Sequence, residues 1–539
     1  MPLLQALATL PKLSRQEVTR LRRRHPRADG GFFSSSQLLA AYRLLQPRHQ
    51  WQRSVEEVAR LLRRRPVRSS SGVAVVAVLT RPYPCPGTCC FCPAPEGMPR
   101  SYLPAEPGAQ RAVQQGFDPY QQVAVRLAAL AANGHPVDKV ELSILGGTWH
   151  AYPAAYRRWF VSQCVAALND WPTRQLNGPA TGDGRAGWAE VEDVLARNAR
   201  AASRCVGLTV ETRPDFITPA SLASLRRLGV TRVQLGYQSL DERILERTRR
   251  GHTVADSRHA TDLLRRAGLK IVAHWMPNLP GATPASDRAD FARLWSDPWL
   301  SPDELKIYPC TLFEGAALAE EWRQGSWAPY PPEVLVELLA DCLLAVPPWC
   351  RVARVVRDVP APDVVAGNRR SNLRQEVEEL LARRGRAPRD IRAREVRHAP
   401  LAVEEVSLSS LTYQTSAGRE EFVQALTPAG RLVGFGRLTL PAGASPIPVV
   451  RGAALLRELH VYGDTATLGR RDANAQHRGQ GHRLVERIAA HARAAGFTML
   501  AVTSAPGTAL YYRRLGFVDQ PLYQQLDLAL QPAAAAGEA

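Results

Sequence analysis

Short β-branched runs alternate with helical patterns over the first 330 residues of the chain. Six runs have the length and composition of strands: SGVAVVAVLT, KVELSILGG, RCVGLTVET, TRVQLGYQS, LKIVAHWMP and DELKIYP. Strands that alternate with helices usually pair in parallel, and function then lies at the carboxyl ends of the strands. The pattern predicts a parallel βα barrel or sheet over residues 71–330.

The chain before this region has a helical pattern. LSRQEVTRLRRRH and SSSQLLAAYRLLQ both begin with serines that suit a helix N-cap, followed by apolar residues three and four positions apart. Residues 1–70 are therefore predicted to form small helices. Within the barrel region, WPTRQLNGPATGDGRAGWAE is rich in glycine, proline and polar residues, which predicts a surface insertion.

A second core is predicted after the barrel. Residues 331–400 are charged and largely helical in pattern, and we interpret them as a connector. From about residue 401 the strands VSLSSLTYQ, GRLVGFGRLTL and RELHVYG precede a glycine-rich turn, a helix and YYRRLGF. This indicates a second α/β domain over residues 401–528, and residues 529–539 are predicted to be a disordered tail. The predicted fold class is α/β.

Composition excludes several classes of protein. The 539 residues are too many for one core, and 45% hydrophobic with 22% charged residues argues against a disordered chain, a collagen and a polytopic membrane protein. No apolar stretch approaches the roughly 20 residues that span a bilayer. The amino terminus has the reverse charge order of a secretory signal, so we expect a cytoplasmic protein.

Positive charge is concentrated at the amino terminus. The chain has a net charge of +19, and residues 1–70 hold fifteen basic against four acidic residues. Such an arm is typical of polyanion binding, although its arginines could instead solvate helix faces. Only Lys12, Lys139, Lys270 and Lys306 are lysines, against 65 arginines. A surviving lysine indicates a place that requires a compact ammonium, with chance as the alternative.

Four of the nine cysteines fall within eight residues. Cys85, Cys89 and Cys92 follow a predicted strand with the spacing Cys-x3-Cys-x2-Cys, and Cys90 lies between them. Three thiolates are one too few for a closed four-cysteine site, but a four-iron cluster held by three thiolates leaves one iron open for S-adenosylmethionine. This spacing is the radical-SAM signature. A zinc knuckle that includes Cys90, or simple buried thiols, are the alternatives.

Polar residues and glycines follow the other strands and would line the same cavity. Gly146, Gly147 and Thr148 end the second strand, and the glycines allow a close backbone approach to the SAM amino group. Further strand ends carry Glu211, Arg213, Gln238, Ser239, His274 and Met276. A capped turn is the alternative explanation for each residue taken singly.

The second domain carries a candidate acyl-CoA site. Gln476-His477-Arg478-Gly479-Gln480-Gly481 precedes an amphipathic helix, and N–H groups at such a helix start suit a pyrophosphate. The order of elements is that of a GNAT fold. Glu458 to Val461 would hold the pantetheine and thioester, and Tyr512 would protonate or hydrogen-bond the departing sulfur. Tyr511 is interpreted as a core aromatic residue.

The two domains together resemble the Elongator catalytic subunit family, elongator protein three. The resemblance covers about residues 10–528 and rests on these stretches: SGVAVVAVLTRPYPCP, FCPAPEGMPRSY, VDKVELSILGGT, GLTVETRPD, LGYQSLDERILERTRRGHT, MPNLPG, LKIYP, RELHVYG, QHRGQG and YYRRLGF. It implies a partial βα radical-SAM barrel packed against a GNAT acetyltransferase domain, with a basic helical amino-terminal region that binds tRNA.

The implied reaction uses two cofactors. A 5′-deoxyadenosyl radical takes a methyl hydrogen from acetyl-CoA, the carbon radical adds to C5 of the tRNA wobble uridine, and thioester hydrolysis leaves 5-carboxymethyluridine. The resemblance also implies partner subunits of the Elongator type or a homodimer. It assigns catalytic roles to Tyr512, Lys139 and Glu458.

The resemblance places three further sets of residues. The iron–sulfur cluster is assigned to Cys85, Cys89 and Cys92. SAM and acetyl-CoA are assigned to Gly146, Gly147, Thr148, Glu211, Arg213, Gln238, Lys139, Glu458, Leu459, His460, Val461, Gln480, Gly481, His482 and Tyr512. The tRNA is assigned to Arg22, Arg23, Arg24, Arg63, Arg64 and Arg65.

The chain departs from the family pattern in three places, one of which is Cys310, which replaces a usual threonine directly after KIYP. Three residues instead of four or more separate the first two cluster cysteines, as in radical-SAM enzymes at large. Pro388 and Ala393 replace two cysteines of the connector, which argues against a structural zinc between the domains. Such a site would need to be rebuilt from Cys310, Cys342, Cys350 or His398.

Two other functions compete with this one. A protein-lysine acetyltransferase would use the GNAT domain alone, but it leaves the cysteine cluster without a role and does not explain the basic arm. An RNA-binding scaffold with decayed sites is the non-enzymatic alternative. The intact cysteines, GGT and QHRGQG argue against decay.

Overall fold

The computed structural model describes residues 2–10, 13–63, 72–172, 184–396, 405–463 and 479–530. The basic region forms four helices: α1 (Pro2–Thr9), α2 (Arg15–Arg24), α3 (Ser35–His49) and α4 (Val55–Leu62). Ser14 and Ser34 form capping boxes at α2 and α3, which confirms the two helices predicted from their serines. The four helices share an apolar core that includes Leu7, Leu39 and Tyr42.

Nine strands follow in the barrel region: β1 (Ala74–Leu79), β2 (Lys139–Leu145), β3 (Arg204–Thr212), β4 (Arg232–Gln238), β5 (Lys270–Trp275), β6 (Glu304–Ile307), β7 (Leu312–Phe313), β8 (Arg351–Arg354) and β9 (Val364–Ala366). Seven of them form one parallel sheet in the order β1-β2-β3-β4-β5-β6-β8, while β7 and β9 pair separately. The six predicted strands are confirmed. Strand β8 lies within the range expected to be a helical connector, because RVAR is too short to show a strand pattern and depends on pairing with β6.

Twelve helices accompany these strands: α5 (Pro107–Gln114), α6 (Pro119–Ala132), α7 (Ala154–Asn169), α8 (Trp188–Asn198), α9 (Pro219–Arg227), α10 (Glu242–Arg247), α11 (Val254–Arg266), α12 (Pro284–Ser296), α13 (Leu318–Arg323), α14 (Pro332–Ala345), α15 (Leu373–Arg383) and α16 (Ile391–Arg394). Helix α8 begins inside the predicted insertion, whose residues 173–183 lie outside the described part of the chain. None of the helices that the structure describes is long and apolar enough to cross a membrane.

Alternate residues of the barrel strands face two different environments. In β2, Val140, Leu142 and Ile144 are buried in the apolar core with the surrounding helices, whereas Lys139 and Glu141 face the inside of the curled sheet. The same alternation recurs in β3 to β6, so the inner face of the sheet is polar. We call the space inside the curled sheet the lumen.

The second domain has a seven-stranded mixed sheet. Its elements are β10 (Ser407–Thr415), β11 (Gly418–Leu426), β12 (Leu432–Pro441), β13 (Ala454–Val461), α17 (Gln480–Ala494), β14 (Met499–Val502), α18 (Ala509–Arg514), β15 (Val518–Gln520) and β16 (Tyr523–Asp527). The strand order is β10-β11-β12-β13-β14-β16-β15, and β13 and β14 are its parallel pair. Helix α17 packs Leu484 and Ile488 against the sheet. Residues 531–539 of the predicted tail lie outside the described residues.

Buried ion pairs join the two domains at the amino-terminal end of the barrel strands. Arg457 of β13 binds Asp303, just before β6, at 2.7 and 2.9 Å and also binds Glu420 of β11 at 2.6 Å. Arg437 of β12 binds Glu458 at 2.8 Å, and Glu458 also pairs with Lys270 of β5. The second domain therefore closes this end of the lumen.

Candidate functional site

One cavity of about 1470 Å³ passes through the lumen and connects both domains. Cys92 and Met276 line it at the carboxyl ends of the barrel strands, and Leu459 and Tyr512 line it in the second domain. The seven residues of β2 run between the two ends, which corresponds to about 20 Å at 3.3 Å per residue. Residues from both predicted sites therefore share a single enclosed space.

Two cysteines of the spaced motif flank Gly87, and the third, Cys92, is hydrogen-bonded to Cys89. A Cβ at Gly87 would lie 3.6 Å from Cys89 Sγ and 3.8 Å from Cys85 Sγ, so a larger residue would fill the space between the thiols. A hydrogen bond from Cys92 lowers the pKa of Cys89 to about 5, and the same bond together with burial raises the pKa of Cys92 well above 9. Cys89 is therefore the thiol of this pair that is already in the thiolate form, the form that binds iron.

Three cysteines of one loop suit an iron–sulfur cluster. The described residues contain no group of three His, Cys, Asp or Glu side chains that could hold a single metal ion. In a four-iron cluster each thiolate binds a different iron, so the sulfur atoms stand farther apart than the ligands of one ion. Cys85, Cys89 and Cys92 would hold such a cluster.

The other cysteines are buried in apolar surroundings. Cys90 is 1% exposed and packs with Cys310, and burial raises the pKa of Cys90 to about 11. Cys342 and Cys350 are also buried thiols, whereas His398 lies outside the described residues. The geometry thus groups Cys89, not Cys90, with the two other motif cysteines.

Gly146, Gly147 and Thr148 lie beside the cysteine loop, at the end of β2. Gly146 has φ +134°, and a Cβ there would overlap Thr80 Oγ1 of the adjacent β1 segment, so only glycine fits. Thr148 Oγ1 is 3.8 Å from Cys85 Sγ. The GGT motif therefore lies against the cysteine loop.

The remaining predicted SAM residues differ in their surroundings. Glu211 accepts a hydrogen bond from Tyr102 at 3.1 Å and faces the lumen, while Arg213 pairs with Asp215 through two hydrogen bonds of 2.9 Å. Gln238 has φ +66°, and its buried Oε1 has no hydrogen-bond partner among the described residues. Strain and an unsatisfied acceptor at a strand end point to a bound ligand.

All three lysines in the described part of the chain line the lumen. Lys139 and Lys270 begin β2 and β5 at the end near the second domain, and Lys306 lies farther along β6. Lys12 lies outside the described residues. The few lysines of the described chain are thus all found in the lumen.

Two polar layers cross the lumen at successive depths. In the first, Lys270 binds Glu304 at 2.7 Å, and Arg232 binds Glu304 at 3.4 Å and also pairs with Glu141. Burial alone would raise the pKa of Glu304, but Lys270 and Arg232 outweigh it and hold the pKa far below 4.5. This layer is a closed network of charges.

The second layer lies farther along the strands, by one inward-facing position in β4 and β6 and by two in β5. Gln234 Oε1 accepts hydrogen bonds from Lys306 and from His274 Nε2, the latter at 2.9 Å. Burial lowers the pKa of Lys306 to about 8. Lys306 is therefore a buried ammonium whose nearest hydrogen-bond partner is a neutral amide.

The second domain provides the geometry of an acyl-CoA site. Strand β13 pairs with β14 only through Ala454, Leu455 and Leu456, and the two strands diverge beyond this point. Helix α17 begins at Gln480 after Gly479, which has φ +81°, and its first turn faces the divergence. Gln476, His477 and Arg478 lie outside the described residues.

Residues predicted to contact acetyl-CoA line this part of the cavity: Glu458, Leu459, His460, Val461, Gly481, His482 and Tyr512. Tyr512 is buried, and burial raises its pKa, so it is a proton donor at neutral pH. Tyr511 also lines the cavity, and a Cβ at Gly481 would collide with its hydroxyl. Gln480 is buried behind the helix start, and His482 is exposed and pairs with Glu486.

Glu458 and Lys139, two of the predicted catalytic residues, have different surroundings. Burial alone would raise the pKa of Glu458, but Lys270 and Arg437 outweigh it and keep the carboxylate charged. Burial lowers the pKa of Lys139. Glu458 therefore stabilises the domain junction, whereas Lys139 presents its amine to the cavity.

The basic arm does not present all of its predicted arginines to solvent. Arg23 and Arg24 are exposed at the end of α2, but Arg22 donates a hydrogen bond to Ser35 Oγ at 2.8 Å. Arg63 donates to the carbonyl of Gly134 at 3.0 Å and ties the arm to the barrel domain. Arg64 and Arg65 lie outside the described residues.

Sequence reasoning missed Arg250 and the two polar layers of the lumen. Arg250 is buried beside Cys89, and its position in RRGH resembles any other surface arginine in sequence. For Lys270 and Lys306 the sequence signal is the scarcity of lysine together with period-two placement in apolar strands.

Comparison with known proteins agrees with this architecture. The family described as the Radical SAM superfamily matches residues 83–294, and the Radical_SAM C-terminal domain matches residues 302–383. The archaeal Methanocaldococcus infernus Elp3 with an N-terminus deletion has a similar structure, with a TM-score of 0.71 and 33% identity over 85% of this chain and 99% of that chain.

Curated relatives match nearly the same length. A tRNA uridine(34) acetyltransferase of Dehalococcoides mccartyi is 40% identical over 84% of this chain and 96% of its own length. Elongator complex protein 3 of Danio rerio is 36% identical over 85% of this chain and 83% of its own length. The chain therefore belongs to the family of the tRNA uridine(34) acetyltransferases and Elongator complex protein 3, as its motifs indicate.

Proposed function

We propose that the protein is a tRNA-modifying enzyme that uses SAM and acetyl-CoA to install a carboxymethyl group at C5 of the wobble uridine. The observation that carries the proposal is the single cavity lined by Cys92 at one end and Tyr512 at the other. The names of the relatives supply the substrate class. A protein that used its two sites for separate reactions would have no need to join them.

The carboxyl ends of the barrel strands form the radical end of the cavity. Cys85, Cys89 and Cys92 would hold a four-iron cluster, and Gly146, Gly147 and Thr148 would lie along bound SAM. When bound, the cluster and SAM supply a 5′-deoxyadenosyl radical, which can break a methyl C–H bond that acid–base chemistry cannot. Gln238, with its unsatisfied buried oxygen, orients a polar group of the ligand.

The second domain forms the acyl end. N–H groups at the start of α17 would bind the pyrophosphate of acetyl-CoA, and the gap between β13 and β14 would hold the pantetheine and thioester. Tyr512 keeps its proton at neutral pH and donates a hydrogen bond to the coenzyme A sulfur as the thioester is hydrolysed. Lys139 faces the same space from the barrel.

The lumen connects the two ends and must accommodate the acetyl group. Its polar layers place ammonium groups along the path, and Lys306 lies between the acyl and radical ends. A buried ammonium bonded to a neutral amide can donate to an acyl oxygen. We therefore assign Lys306 the role of orienting the acyl group toward the radical end.

The basic arm binds tRNA through its exposed arginines. Arg23 and Arg24 would contact phosphates, while Arg22 and Arg63 hold the helices of the arm in place. The wobble base then has to leave its stack and enter the cavity. We place this reaction in the cytoplasm, where all nine free thiols stay reduced.

Nucleoside mass spectrometry tests the proposal. Reconstituted protein is incubated anaerobically with tRNA, SAM, reductant and acetyl-CoA, and each component is omitted in turn. We expect 5-carboxymethyluridine only in the complete mixture. Formation of 5′-deoxyadenosine and free coenzyme A without the modified nucleoside would show that a specific tRNA or a partner subunit is missing.

The same mixture distinguishes the competing function. A protein-lysine acetyltransferase would consume acetyl-CoA without SAM or reductant and would acetylate a protein substrate. Absence of the modified nucleoside, 5′-deoxyadenosine and free coenzyme A would contradict the proposal. Lys306→Met tests the lumen, with the exposed Arg384→Met as its control.

A further inference from the structure

Two guanidinium groups are packed against the cysteine loop, and they differ in how their charge is balanced. Arg213 forms two hydrogen bonds of 2.9 Å with Asp215. Arg250 is 8% exposed and donates to Cys89 Sγ at 3.5 Å and to the carbonyl of Gly236 at 2.9 Å. Among the described residues no carboxylate pairs with Arg250.

The side chains that face Arg250 are those of the cysteine loop. Its guanidinium donates to Cys89 Sγ at 3.5 Å, and Cys85 and Cys92 belong to the same loop. A buried charge without a counter-ion is costly, so a cation in this position requires an anion beside it. Three thiolates with a four-iron cluster provide one, because they carry a net negative charge.

The fold makes room for this guanidinium. Gly236 lies in β4, and a Cβ there would collide with Arg250 Nη2. The backbone N–H of Cys90 donates to the carbonyl of Thr248 at 3.1 Å, which fixes the cysteine loop to the segment that carries Arg250. Two backbone features therefore hold Arg250 against Cys89: the space above Gly236 and the hydrogen bond between Cys90 and Thr248.

We propose that Arg250 is the counter-cation of the cluster bound at Cys85, Cys89 and Cys92, and that it raises the reduction potential of that cluster. One-electron reduction adds a negative charge to the cluster, and a nearby buried cation stabilises the reduced form more than the oxidised form. Hydrogen bonds to the ligating sulfur act in the same direction. Arg250 is a positioning and tuning residue and contacts no substrate in this assignment.

The test is a redox titration of the reconstituted full-length protein, followed by the EPR signal of the reduced cluster. It uses neither tRNA nor acetyl-CoA, so its outcome is independent of the proposed tRNA reaction. For Arg250→Met we expect full iron content and a reduction equilibrium at least tenfold less favourable, a midpoint at least about 59 mV lower. Arg250→Lys keeps the charge and should restore most of the shift.

Arg249→Met is the matched control, because Arg249 is adjacent in sequence but exposed. It removes the same charge and should leave the midpoint unchanged, since solvent screens it. If Arg250→Met binds less iron than the wild type, Gly236→Ala replaces it as the deciding variant. The added methyl group displaces the guanidinium from Cys89 and should lower the midpoint in the same direction.

An unchanged midpoint in an iron-replete Arg250→Met protein would overturn the proposal. Equal shifts in Arg249→Met and Arg250→Met would also overturn it, because they would show a general effect of net charge. A loss of SAM affinity with no change of midpoint would assign Arg250 to the SAM carboxylate instead of the cluster.

Discussion

The two ends of the barrel lumen differ in how their buried charges are balanced. At the amino-terminal end, Asp303, Arg457, Glu420 and Arg437 neutralise one another in a buried network between the domains. At the carboxyl-terminal end, Arg213 pairs with Asp215, but Arg250 faces thiols and has no carboxylate partner among the described residues. Paired charges hold a junction rigid, whereas unbalanced ones indicate a ligand. The comparison separates the residues that build the cavity from those that serve its chemistry.

The largest expected effect concerns the cysteine loop. Cys89→Ala should lose the cluster iron, because its thiol lies with that of Cys85 beside Gly87 and bonds to Cys92. Cys90→Ala should keep the iron, because the thiols nearest Gly87 are those of Cys85 and Cys89. Iron and sulfide analysis after anaerobic reconstitution measures this. Full iron in Cys89→Ala together with loss in Cys90→Ala would reverse the assignment.

A buried pair at the junction should matter for stability and not for the cluster. Arg457→Met leaves Asp303 and Glu420 without their cation, so we expect a loss of about 3–5 kcal/mol in the free energy of unfolding. Denaturation with urea measures it. Arg323→Met, at an exposed ion pair, should cost less than about 1 kcal/mol. Equal losses of unfolding free energy in the two variants would show that the buried junction pair is no more important than an exposed one.

The same junction predicts a dependence on pH. Burial alone would raise the pKa of Asp303, but Arg457 and Arg437 hold it far below 3.8. A carboxyl group with a depressed pKa stabilises the fold above the pKa of the unfolded chain and loses this contribution as pH falls. We expect stability to decline below about pH 4, and Asp303→Asn should flatten that decline. An identical acid profile in the variant would contradict the network.

Replacing Lys306 should raise the stability of the fold, whereas replacing Arg457 lowers it. Its pKa of about 8 means that the buried ammonium destabilises the folded protein at neutral pH, by up to about 3 kcal/mol. Lys306→Met should therefore unfold at higher urea concentration than the wild type at pH 7. The difference should shrink as pH rises above 8, because the wild type then releases the proton.

The functional half of this prediction is a loss of product. Lys306→Met should form at least tenfold less modified nucleoside while its iron content stays unchanged. A variant that is more stable and equally active would show that Lys306 has no part in the reaction. Arg384→Met, an exposed change, should alter neither quantity.

The smallest expected effect lies in the basic arm. Arg23→Glu with Arg24→Glu should weaken tRNA binding and reduce the salt slope by up to about 2, because each of the two arginines would neutralise one phosphate. Filter binding at several salt concentrations measures it, with Arg384→Glu as the control. An unchanged slope would show that these arginines only solvate a helix face.

Much of this architecture can be predicted from the sequence, because local signals specify it. Six β-branched runs form six parallel strands, and the spacing of Cys85, Cys89 and Cys92 by itself indicates a shared centre. Serine caps identify the helices of the arm. In each case the signal lies within the element that it predicts or directly beside it.

The rest depends on contacts between distant segments. Strand β8 exists because β6 offers it a partner, and Arg250 reaches Cys89 from 161 residues away. The pairing of Asp303 with Arg457 spans 154 residues. Nothing in the local sequence distinguishes these charged residues from solvated ones, so the paired and unpaired ends of the lumen are visible only in three dimensions.

The most direct test of a shared cavity follows hydrogen from one end to the other. The reaction is run with acetyl-CoA deuterated at the acetyl methyl group, and the 5′-deoxyadenosine formed is analysed by mass spectrometry. The account predicts 5′-deoxyadenosine that carries one deuterium, in an amount matching the modified nucleoside. Modified nucleoside accompanied by 5′-deoxyadenosine without deuterium would contradict it, because the radical end would then not act on the acetyl group.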